Sequence, residues 1–226
     1  QGRVLTLRTL DLRESVSGAL LTLAGRLDLG QEPLGFEVKG AWERLRWPLS
    51  GELLAESPKG SLDASGNLDA FGYTLSALAQ GPGIPAMDLG LAGTGDRERT
   101  RIEPLAVRTL DGTLTATGDL AWVPEVTWDL KLLGQDLNPA GVAPGMEDRL
   151  GLSLHTQGGL AGFQYRLAAT TQGPGLPPAQ LALEGQGGLR GTEIQSLRLE
   201  ALKGEVQGKG RAGWDPKVSW EGDLSW

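Results

Sequence analysis

Residues 112–134 read GTLTATGDLAWVPEVTWDLKLLG. Leu114, Ala116, Gly118, Leu120 and Trp122 alternate with Thr113, Thr115, Thr117, Asp119 and Ala121. After a turn at Pro124, the residues Val126, Trp128, Leu130 and Leu132 alternate with Thr127, Asp129 and Lys131. Alternation at period two places one set of side chains on each face of a strand. Two such runs separated by a proline turn predict an antiparallel pair with one apolar and one polar face.

The same pattern recurs 92 positions later, so that residues 60–128 return as 152–220. Trp122, Pro124, Val126 and Trp128 reappear as Trp214, Pro216, Val218 and Trp220, and Gly81-Pro82-Gly83 as Gly173-Pro174-Gly175. Between 73 and 128 there are 22 identities in 56 aligned positions. A period of this length predicts a tandem array that grows along one axis without a single central core. We divide residues 1–226 into a partial copy at 3–59, a repeat at 60–151 and a truncated repeat at 152–226.

The other rows follow the same rule. Leu21, Leu23, Gly25 and Leu27 share one face, as do Leu62, Ala64, Gly66 and Leu68. Tyr73 and Leu75 begin the next row, and Leu89, Leu91 and Gly93 form another. In the second copy the rows are Leu152, Leu154, Gly158 and Leu160, then Tyr165 and Leu167, then Leu181, Leu183 and Gly185. Val206, Gly210 and Trp214 follow, and Val218 and Trp220 close the chain. Residues 43–59, 96–101 and 135–148 read as irregular segments or connections, because proline, charge or glycine breaks the alternation. No segment sustains a helical apolar period, so the chain is predicted to be all-β and antiparallel.

Each apolar row includes a glycine, at Gly25, Gly66, Gly93, Gly118, Gly158, Gly185 and Gly210. A strand glycine marks a bend or a close approach. Repeated at one place in successive strands, it can curve the sheet into a trough that is apolar inside and polar outside. Roughly fifteen strands at about 4.7 Å spacing would extend on the order of 70 Å. A filled core, with two sheets packed closely at the glycines, satisfies the same pattern. The aromatics cluster near the ends of the predicted hairpins, where they suit rim or plug positions.

Composition narrows the function. Formal net charge is −7 and no basic run exists, which argues against nucleic acid. Cysteine is absent, which excludes disulfides and thiolate metal sites. Gly and Pro are abundant but punctuate the repeat at fixed places. The single histidine, His155, falls on the polar face and reads as solvated. There is no second histidine for a metal pair, no nucleophile motif and no complete phosphate or dinucleotide loop. We therefore expect no enzyme activity, no cofactor and no metal. No stretch reads as a membrane span. The chain starts and stops in mid-pattern, as expected of a piece from inside a longer protein.

The stretch from Gly112 to Gly159 resembles the TamB family. It carries Gly-x-Leu-x-Ala-x-Gly-x-Leu, the spaced Trp122 and Trp128, Asp136-Leu-Asn-Pro139, Pro144-Gly145 and Leu154 to Gly158. More distantly the chain is similar to the AsmA-like proteins with a repeating β-groove. The resemblance implies an internal fragment of a long periplasmic protein, anchored in the inner membrane by a segment outside this sequence. It implies a β-taco whose groove shields phospholipid acyl chains and conducts them between the inner and outer membranes, with the apolar rows as groove lining. It also implies an Omp85-type outer-membrane barrel partner (TamA-like) and, as an alternative role, a scaffold for assembling outer-membrane proteins such as autotransporters. A structural β-solenoid with a filled core is the third reading that the residues allow.

Overall fold

A computed structural model describes residues 3–15, 17–49, 51–141, 145, 148–175, 177–214 and 218–226. The strands divide into two compact units, residues 1–109 and 110–226. In the first unit β1 (Val4–Arg13), β2 (Leu20–Asp28), β3 (Gly35–Trp47), β4 (Ala55–Asn67), β5 (Ala70–Gly81), β6 (Ile84–Gly95) and β7 (Arg99–Thr109) follow one another in spatial order. In the second, the order is β8 (Gly112–Ala121), β9 (Thr127–Leu137), β10 (Arg149–Gly159), β11 (Gly162–Gln172), β12 (Ala179–Gly188), β13 (Gly191–Ala201), β14 (Gly204–Gly213) and β15 (Ser219–Ser225). Within each unit every strand pairs antiparallel with its sequence neighbours. The protein is all-β, as its alternation predicts. The boundary between the units falls at Thr109 and Leu110, whereas the sequence repeats divide at 151 and 152.

Local chemistry sets the turns. Asn67 Oδ1 accepts from the amides of Asp69 and Ala70 and closes the β4–β5 hairpin. Leu202 and Lys203, at φ +54° and +64°, form the two-residue turn between β13 and β14, a conformation whose twist matches the flanking strands.

Three sequence expectations are revised. The irregular 43–59 segment is largely strand, with Leu45, Arg46 and Trp47 paired to Ser57, Glu56 and Ala55. Its Pro58 lies at a register shift between β4 and β5, where a missing amide breaks no ladder bond. The charged connection is only a turn at 96–98, because β7 resumes at Arg99. The 135–148 loop begins later, since β9 continues through Leu137 and a short 3-10 turn follows at Pro139–Gly141. Residues 142–144, 146 and 147 lie outside the described part.

Burial shows one layer of sheet in each unit. Among the described residues the buried hydrophobic side chains are Ala19 and Leu137; the row leucines on strands β2 to β14 are half-buried, and Leu10 and Leu12 on the end strand β1 are exposed. The chain exposes 15179 Å², whereas a globular chain of this mass exposes roughly 9,900 Å². Cover on the apolar face comes from its own leucines. Ala169, between Leu152 and Leu181, is half-buried, while Ala168, its opposite-facing neighbour between Ser153 and Ala182, is exposed. No helix among the described residues is long and apolar enough to cross a membrane.

Candidate functional site: the apolar face of each unit

The strand registers align the apolar positions into continuous rows. In the first unit Leu10, Leu23, Gly40, Leu62, Leu75, Leu91 and Leu105 lie side by side across seven strands. Beside them run Leu12, Leu21, Trp42, Gly60, Ala77, Leu89 and Val107. In the second unit Ala116, Leu132, Leu154, Leu167, Leu183 and Leu197 make one row, and Leu114, Gly134, Leu152, Ala169, Leu181, Leu199 and Val206 the next. No charged residue stands in any of these rows.

Toward the end where β4 turns into β5, and β10 into β11, the character changes from leucine to aromatic and glycine. Leu27, Phe36, Gly66, Phe71 and Gly95 follow one another there, as do Leu120, Trp128, Gly158, Phe163 and Gly187. Rings on one strand lie across glycines on the next. Phe36 and Phe71 stand 6.0 Å apart and Trp128 and Phe163 5.7 Å apart, centroid to centroid, in tilted contact. Leu130 sits in the adjoining row beside Gly118 and Thr156.

The glycines divide by cause. Gly66, Gly118 and Gly158 have φ of +136°, +149° and +139°, a conformation that is essentially reserved for glycine. Gly93 and Gly185 lack that conformation. A β-carbon on either would collide with a tyrosine, Tyr73 or Tyr165, whose ring lies over it. At Gly25 and Gly210 a β-carbon would meet a neighbouring carbonyl, Glu37 O at 2.8 Å and Glu221 O at 2.7 Å. Bending was expected of all seven; backbone geometry marks three, and close approach accounts for the others.

The polar atoms of the rings are satisfied within the sheet. Tyr73 Oη meets Thr100 Oγ1 at 2.8 Å, and Tyr165 Oη meets Thr192 Oγ1 at 2.8 Å. Each threonine donates onward to a β-strand carbonyl, that of Thr94 or of Gln186. Trp128 Nε1 donates to Thr156 Oγ1 at 3.1 Å, and Trp42 Nε1 to Ser57 Oγ at 2.8 Å. These clasps were not anticipated. Their one trace in the sequence is that Tyr73 and Thr100 both recur, as Tyr165 and Thr192.

Several expected lining residues lie off the face. Leu68 and Leu160 occupy hairpin turns. Trp122 and Val126 flank the β8–β9 connection, because that ladder ends at the Ala121–Thr127 pair. Trp214 and Val218 flank the β14–β15 connection, where the ladder ends at Gly213–Ser219. Trp220, by contrast, keeps an apolar-face position opposite Ala212, but on the end strand β15 it is 84% exposed.

The opposite face is charged and solvated. His155 Nε2 lies 2.8 Å from Asp129 Oδ1, in a row with Lys131, Arg166 and Glu184. Arg211 is held above its usual value by its hydrogen bond to Glu221, at 2.6 Å. Glu205 is held low by the Gln207 amide and by Arg198. A hollow of about 1010 Å³ at Gly162, Gly187, Gly191 and Gly213, where side chains are missing, is lined by residues of both faces, Phe163 and Trp220 as well as Gln186 and Arg211. No cluster of three or more His, Asp or Glu among the described residues could hold a metal ion.

Two stretches of the chain, residues 5–162 and 150–226, match the family model described as TamB, N-terminal domain. No solved structure matches the chain. Taken with the antiparallel meander and its glycine-punctuated apolar rows, these matches show that the chain belongs to the TamB family of envelope proteins.

Proposed function

We propose that the apolar face of each unit shields the acyl chains of phospholipid, within a periplasmic protein that carries lipid between the inner and outer membranes. One observation carries the reading: uncharged rows of leucine running across successive strands are covered by no second layer of sheet among the described residues. A filled-core solenoid would bury those leucines, yet they remain half-exposed. Soluble proteins keep such patches small unless something binds there. Ten methylenes laid on this face would gain up to about 8 kcal/mol, before the ordering cost of the chain. No covalent step is involved, and the protein's contribution is to exclude water along a path.

A second reading is a scaffold for outer-membrane protein assembly with an Omp85-type barrel partner. It draws on β15, which is exposed along all seven residues and could accept an added strand. The experiment that separates the readings is lipid analysis of the purified chain. Leu132→Asp and Leu154→Asp place charge in the leucine row. Loss of co-purifying phospholipid with retained folding supports the acyl-chain reading. Unchanged lipid content would remove it.

A further inference from the structure

Turns are normally polar, but those at one end of the second unit are not. Trp122 is 41% exposed, Val126 39%, Leu160 53%, Leu189 70% and Trp214 48%. They belong to the β8–β9, β10–β11, β12–β13 and β14–β15 connections, which an antiparallel meander places at the same edge. Successive members are two strands, or about 9.5 Å, apart.

We propose that this edge is a lip over which acyl chains of a zwitterionic bilayer pass sideways onto the apolar face. The proposal rests on the reading of that face as a lipid site.

Three features of the second unit support the route. The first row inside the edge is the aromatic–glycine row, where the Phe163 ring lies low over Gly187. The Trp128 indole of this row and the Tyr165 hydroxyl of the next are tied into the sheet by Thr156 and Thr192, so the ring polar atoms between the edge and the leucines are satisfied among the described residues. The opposite end is occupied by its own loops. There Asp148 is fully buried and accepts from the Gly175 amide at 3.0 Å, and Asn138 N donates to Leu110 O at 2.7 Å. The exposed large hydrophobics among the described residues toward that end are Leu202, in a turn, and Trp226, which follows β15.

Charge selects the membrane. The described residues of the apolar edge carry one acid, Glu125, and one base, Arg190. A balanced lip on a chain of net charge −7 favours uncharged headgroup surfaces over anionic ones.

The first unit supplies its own contrast. Arg97 stands 92 positions before Leu189, and Asp69 the same distance before Ala161. Arg97 Nε and Asp69 Oδ1 form an ion pair at 3.0 Å. These turns therefore tolerate a charged pair, and the double substitution Ala161→Asp with Leu189→Arg grafts it onto the second unit.

The test uses the 226-residue chain and phosphatidylcholine vesicles that contain pyrene-labelled phosphatidylcholine. Initial uptake rate and bound lipid at saturation are both read. The double variant should load about tenfold more slowly and reach the same saturation. A wild-type rate in the double variant overturns the lip and leaves the lipid site standing. Reduced saturation in it also overturns the lip, since the edge would then be part of the binding surface. Full saturation in Leu132→Asp overturns the lipid site itself, and the lip with it.

Discussion

The ring of Tyr165 lies across Gly185 of the next strand, with its hydroxyl 2.8 Å from Thr192 two strands away. Tyr73, Gly93 and Thr100 repeat the arrangement in the first unit. The glycine gives the ring room and the threonine fixes it flat. A strand-spanning ring replaces the side chain that glycine lacks. An open sheet has no second layer to order its aromatics, so these bonds must do it.

Gly185→Ala should therefore destabilise the protein by about 1–3 kcal/mol, because the new methyl meets the Tyr165 ring and the Glu193 carbonyl. Gly90→Ala is the control, with nothing within 4 Å of its β-carbon. It should stay within about 0.5 kcal/mol of wild type. Urea unfolding followed by tryptophan fluorescence measures both, and equal effects at the two positions would contradict the geometry.

Gly158→Ala tests backbone rather than space. Its φ of +139° is closed to alanine, and Phe163 Cα would lie 2.5 Å from the new β-carbon. A loss of about 1–3 kcal/mol is expected from the conformation alone. Urea unfolding measures it, and a wild-type midpoint for Gly158→Ala would contradict the backbone geometry.

Thr192→Val and Tyr165→Phe each remove one end of the same hydrogen bond. Each should cost about 1 kcal/mol, and the pair should cost less than the sum. Strict additivity in a double-mutant cycle would show that the hydroxyls do not interact.

Asp96 provides a pH-dependent element. The Glu98 amide, 2.8 Å from its carboxylate, and then the Arg99 amide and side chain hold its pKa below the ordinary value. A depressed folded-state pKa stabilises above the unfolded value, and that contribution disappears as pH falls through the folded one. The β6–β7 turn should loosen in acid. The equivalent β12–β13 turn has Gly188 in place of the aspartate and should not respond. Carboxyl titration by NMR checks this, with an ordinary Asp96 midpoint as the contrary result.

Much of this architecture can be read from alternation alone, because period two survives any arrangement of the strands. Pro104 and the uneven spacing of Ile102 and Leu105 even mark a real register shift opposite Leu91 and Gly93. Less legible was where each ladder stops. The alternation runs on through Trp122 and Trp214 after pairing has ended, so both read as lining and are in fact at an edge. Rings over glycines needed the cross-strand register, which sequence spacing does not contain. Leu62 would also look the same in a filled core as in an open face; its half-burial is a property of the folded sheet.

The central claim is that alternate residues of one strand face lipid. Photo-crosslinking in the envelope, with the probe placed in turn at Asp129, Leu130, Lys131 and Leu132 of β9, tests it most directly. Leu130 and Leu132 are half-buried on the apolar face, and Asp129 and Lys131 are exposed on the other. Phospholipid adducts at the two leucines alone are the predicted result. Adducts at none of the four positions, or equally at all of them, would contradict the account.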